Sequence, residues 1–82
     1  MLKLYSVRDA KLGFGTVFTA ANDAVAIRTF ASAVNSDGSI LHDAPDDFSL
    51  CRLGEFNEVD GEITGELATV VATGFSVRKE VN

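Results

Sequence analysis

The segment at residues 22–35, "NDAVAIRTFASAVN", constrains this chain more than any other. Ile27, Phe30, Ala31 and Val34 fall at i, i+3, i+4 and i+7, which makes one apolar stripe along a helix. Arg28, Ser32 and Asn35 lie away from that stripe. Asn22 or Asp23 can cap the start, because a short side-chain oxygen accepts the unpaired N–H groups of the first turn. Asn35-Ser36-Asp37-Gly38 supplies the turn formers and glycine that stop it. A single amphipathic helix of this length must bury its stripe on something else. The rest of the chain therefore has to provide a sheet.

The flanking segments read that way. Leu2–Asp9 is a predicted strand, with Leu2 and Leu4 on one side and Tyr5 and Val7 on the other. Gly13 and Gly15 suit a turn or bulge, and Thr16–Ala20 is a short β-prone run. Residues 35–47 form an acidic connection holding the one proline, Pro45. Its Ile40 and Leu41 are expected to dock on the core. Phe48–Phe56 is the next strand. Asp60-Gly61 predicts a two-residue type I′ turn with both residues at positive φ. A strand from about Glu62 to Leu67 should return antiparallel, and "TVVATGFSV" should add one or two further β runs broken near Gly74. The expected order is β-β-α-β-β-β. That is an α+β fold, a single helix packed on a mainly antiparallel sheet of four to five strands, in one domain spanning residues 1–82. The opposite face of the sheet has no second helix to cover it, so it is either solvated or a binding surface. A homodimer is expected, because so small a core gains from a shared interface.

Composition narrows the chemistry. One cysteine, Cys51, rules out an intrachain disulfide, and one histidine, His42, rules out a His/Cys metal cluster. A single thiol fits a reducing compartment. No segment resembles a signal peptide or approaches a bilayer span, so no membrane association is expected. Carboxylates are abundant, but they crowd a loop and a hairpin tip where water holds them near their ordinary pKa. "DAPDD" lacks the alternating ligands and central glycine of a calcium loop. Cys51 lies among apolar residues of a strand and reads as an inert thiol. "GFG" is not followed by the helix that makes a phosphate loop. No catalytic residue, no metal site and no cofactor is expected, and the chain is not read as an enzyme.

Charge is unevenly distributed. The net charge is −5. Residues 1–36 carry Lys3, Arg8, Lys11 and Arg28 against Asp9 and Asp23, or +2. Residues 37–66 carry nine acids and only Arg52, or −8, and residues 67–82 carry Arg78, Lys79 and Glu80, or +1. Two readings follow. The cations can be ordinary edge charges that protect strands from aggregation, with the nearby aromatics in the core. Alternatively, Lys3, Arg8, Lys11, Arg28, Arg78 and Lys79 can line a phosphate-binding groove in which Tyr5 or Phe14 stacks on bases. Composition favours the first, because a net acidic protein is a poor general phosphate binder.

Four short segments, "LKLYSVRDAK", "NDAVAIRTF", "LGEF" and "SVRKE", occur in an order and spacing that resembles the small non-structural protein of gokushovirus-type microviruses. These are tailless bacteriophages with circular single-stranded DNA genomes. Ala21 stands where that family usually has proline. The resemblance implies a non-structural protein of the host cytoplasm that binds single-stranded DNA or the replication complex during genome synthesis and packaging. The alternative is a protein-interaction module whose acidic segment 37–66 engages a basic surface on a phage replication protein or a host protein, without touching nucleic acid.

Overall fold

The computed structural model describes residues 1–79. Strands β1 (Leu2–Asp9) and β2 (Gly13–Ala20) form the first hairpin. Helix α1 (Asp23–Val34) follows, then a one-turn helix α2 (Ile40–Asp43) and a 3₁₀ turn at Pro45–Asp47. Strands β3 (Phe48–Phe56) and β4 (Ile63–Thr73) form the second hairpin, and a one-turn helix α3 (Gly74–Val77) ends the described chain. The four strands are antiparallel throughout, in the order β2-β1-β3-β4. The α+β class and the four-stranded antiparallel sheet agree with the sequence. Three differences do not.

The first is the short helices, where one helix and an irregular connection were expected. Ser39 caps α2 by accepting from the Leu41 N–H. In α3, Thr73 and Ser76 cap each other reciprocally. The second is the end of the sheet. Instead of two or three β runs after the hairpin there is one eleven-residue strand, β4, broken only by bulges. The third is the turn at Asp60-Gly61. No described non-glycine residue has positive φ, so Asp60 cannot occupy a type I′ position. The Asn57 N–H instead donates to the Glu62 carbonyl at 2.9 Å and the Gly61 N–H to the Asn57 carbonyl at 2.7 Å. This closes a longer loop with Gly61 alone at φ +82°.

Asn22 is the cap of α1, its side chain accepting from the Val25 N–H at 2.9 Å. The helix lays Ala26, Phe30 and Val34 against Tyr5, Phe48 and Leu50, and these six residues are the core. Burying an aromatic or leucine side chain is worth about 1.5–3 kcal/mol each, so this small cluster dominates the stability of the domain. Two glycines are dictated by close approach. A methyl group on Gly54 would overlap the Thr64 carbonyl of β4, and one on Gly74 would overlap the Pro45 carbonyl. Gly54 has φ +157°, at the end of a bulge that lets three residues of β4 pass one of β3.

Register decides which side chains share a face, because directly paired residues point the same way. Tyr5, Val7, Phe18, Leu50 and Ala72 are on the side that α1 covers. Lys3, Asp9, Arg52 and Glu55 have the same parity. The uncovered side carries four cross-strand rows. They run Phe14–Arg8–Ser49–Thr73, Val17–Ser6–Cys51–Val70, Thr19–Leu4–Gly54–Gly65 and Leu2–Phe56–Ile63. The described molecule is long, with principal extents of 47 × 23 × 18 Å.

Candidate nucleic-acid interface

The topology sends several cations to one end of the sheet. Asp9 pairs with Gly13 and Phe48, and Ser49 pairs with Thr73, so the β1–β2 turn and the start of α3 lie at the same end. Arg8 and Lys11 belong to that turn region, and Arg78 and Lys79 follow α3. The acidic loop with Glu58, Asp60 and Glu62 lies at the opposite end, beyond the Leu2–Phe56–Ile63 row.

The cations nevertheless do not form one set. Lys3 faces the covered side and pairs with Glu55 at 3.4 Å. Arg52, which the sequence gave no reason to single out, bonds Glu66 and Asp23, each at 2.7 Å. Those two carboxylates, Glu66 foremost, hold its guanidinium above its ordinary pKa. Arg8 lies on the uncovered face, opposite Phe14, and borders a cleft of about 180 Å³ that Asp46 and Asp47 also line. Lys11 is exposed in the β1–β2 turn.

Arg28 and Lys79 come together differently. They line a second cleft, of about 290 Å³, with Ala31, Ser32 and Asn35, and no carboxylate lines it among the described residues. Asn35 builds this arrangement. Its side-chain N–H groups donate to the Ala31 carbonyl at 2.8 Å and the Val77 carbonyl at 3.0 Å, and its oxygen accepts from the Lys79 N–H at 2.8 Å. One amide thus ties the end of α1 to the segment after α3. Arg78 points elsewhere and covers the Phe75 ring, its guanidinium carbon 4.8 Å from the centroid. Phe75 is 60% exposed. Neither Asn35 nor the use of Phe75 was legible locally, since Asn35 acts on residues more than forty positions away.

Tyr5 requires a correction. It was expected to stack on bases, but it has no exposed surface. Its ring stacks on Phe18 at 5.7 Å between centroids, and its hydroxyl donates to Asp23 at 2.7 Å. Burial first, then the Asp23 bond, pushes the phenol well above its ordinary pKa. The ring is a core residue with a satisfied polar end. Phe14, by contrast, is half exposed.

No group of three or more His, Cys, Asp or Glu residues that could hold a metal occurs among the described residues. No helix there is long and apolar enough to cross a membrane. Cys51 is buried at the centre of the sheet. His42 lies on α2 with one ring nitrogen 3.1 Å from the Val34 carbonyl.

This is a small α+β protein with surface clefts and charged patches. Comparison with known families identifies it as a bacteriophage protein. Residues 2–77 match the family described as Phage ORF5 protein, and the chain belongs to that family. No curated protein and no solved structure matches it.

Proposed function

We propose that this phage protein is non-enzymatic and binds single-stranded DNA, alone or within the replication complex of a microvirus-type phage. The observation that carries this reading is the cleft where Arg28 and Lys79 converge, lined by no carboxylate among the described residues. Phosphates would be held there as point contacts. Phe75, with Arg78 on one face of its ring, offers the exposed aromatic surface on which a base stacks. Arg8, Lys11 and Phe14 form a second contact at the same end of the sheet, weakened by Asp46 and Asp47. Lys3 is occupied by Glu55 and Tyr5 is buried, so neither takes part.

Titration of a labelled oligonucleotide across salt concentrations tests this. Each phosphate neutralised on a single strand should contribute about −0.7 to the log–log slope. The double variant Arg28→Ala, Lys79→Ala should therefore flatten the slope by about 1.4. Absence of binding at low salt would remove the reading. The acidic loop with Glu58, Asp60, Glu62 and the 91%-exposed Val59 would then be the surface to pursue, against a basic protein partner.

A further inference from the structure

The uncovered face of the sheet has an unusual composition for a solvated surface. Fifteen residues form its four rows, and Arg8, in the end row, is the only charge among them. The covered side carries more charge, with Lys3, Asp9, Arg52 and Glu55. A half-solvated antiparallel sheet normally shows the reverse, polar outside and apolar inside. The other three rows instead carry Leu2, Val17, Phe56, Ile63 and Val70, with Leu4 buried among them. Val17, Val70 and Ile63 are 53%, 52% and 65% exposed.

We infer that this face packs against the same face of a second copy of the chain, in a twofold sheet-on-sheet dimer. Three observations select that occupant. The first is charge. A protein of net charge −5 repels its own copies, and none of the acids among the described residues lies in the four rows of this face, so self-association costs least here. The second is shape. Val17 and Val70 stand half exposed on opposite edge strands of one row, with the small, buried Ser6 and Cys51 between them. The same surface turned about a twofold axis can set the valines of one copy beside those of the other, as interleaved side chains do between aligned sheets. The third is area. Four strands spaced about 4.8 Å apart, each contributing roughly seven residues at about 3.3 Å, give a face of about 440 Å² in projection. Two copies bury about twice that, and the relief of the side chains brings the total to roughly the 1,000 Å² that a specific interface requires. The dimer leaves the Arg28–Lys79 cleft on the outer side of each copy, so that cleft stays open, while the Phe14–Arg8 row lies at the border of the paired face and would be shared with the second contact.

Sedimentation equilibrium without nucleic acid tests the inference. The wild-type chain should show twice its monomer mass at tens of micromolar. Val17→Lys with Val70→Lys, and separately Val17→Glu with Val70→Glu, should both give monomers with unchanged circular dichroism. These positions are half exposed, so the monomer tolerates either charge. The lysine pair is the sharper arm, because it lowers the net charge and would strengthen any association limited by repulsion alone. A monomeric wild type at these concentrations overturns the inference. So does a dimer that survives both double variants, which would show pairing through strand edges instead.

Discussion

The two faces of this sheet are made from alternate residues of the same four strands, yet they follow opposite rules. The covered face combines a core of Tyr5, Phe48 and Leu50 with a rim of charges, and each rim charge of β1 or β3 has a defined task. Lys3 meets Glu55, Arg52 bridges Asp23 of the helix to Glu66 of β4, and Asp9 accepts from the Lys11 N–H in the turn. The uncovered face has almost no charge, and Val17, Val70 and Ile63 stand at least half exposed on its edge strands. The difference shows where a small domain places its polar groups. Charges sit where a helix and neighbouring strands supply partners, and the surface left open is one that water does not particularly favour.

Four substitutions or conditions separate the faces, beginning with the largest effect. Phe30→Ala removes the helix side chain at the centre of the core and should cost about 3–5 kcal/mol in urea unfolding. Since domains of this size have little stability to lose, the variant should be largely unfolded at physiological temperature. Gly54→Ala should cost about 1–3 kcal/mol, because a side chain there strains the backbone and displaces the Thr64 carbonyl. A wild-type value for that variant would mean that β3 and β4 are not closely crossed at the bulge.

The third concerns Tyr5, the sole tyrosine. Its folded pKa is raised by burial and by Asp23. Its contribution is therefore complete below the ordinary tyrosine value of about 10 and is lost as pH rises through and beyond it. Thermal melts should show stability falling by up to about 1.4 kcal/mol per pH unit above pH 10 from this group. Tyr5→Phe should remove that component. An identical alkaline profile in the variant would place the phenol in solvent. The smallest effect belongs to the uncovered face. Val70→Ala, measured at concentrations too low for association, should change unfolding free energy by no more than about 0.5 kcal/mol. A cost close to that of Phe30→Ala would abolish the distinction between the faces.

Much of the covered face was legible in the sequence. The stripe through Phe30 and Val34, the Asn22 cap and the strands at Leu2–Asp9 and Phe48–Phe56 follow from local periodicity. The alternation of Leu4 and Tyr5 was also legible, but not which of the two the helix would cover. That choice is tertiary, and it turned Tyr5 from a candidate base platform into a core residue. The Asp60-Gly61 signal located the hairpin but misjudged its loop, because Asn57 and Asp60 accept backbone N–H groups and stabilise a wider turn. Charge pairing was the least legible feature. Arg52 finds Asp23 across 29 positions, and Asn35 finds the C-terminal segment across more than forty. No local pattern encodes such partners.

The 47 Å length of the molecule bears on how its assembly should be read. An 82-residue chain packed as closely as typical domains has a radius of gyration of about 12 Å, against 13.1 Å here. Such a particle meets more friction than a sphere of equal mass and leaves a sizing column early, so a monomer would elute like a larger protein. Two copies stacked face to face add thickness along a short dimension and leave the long one almost unchanged. The dimer would be rounder than its subunit, and association would double the mass while lowering the frictional ratio.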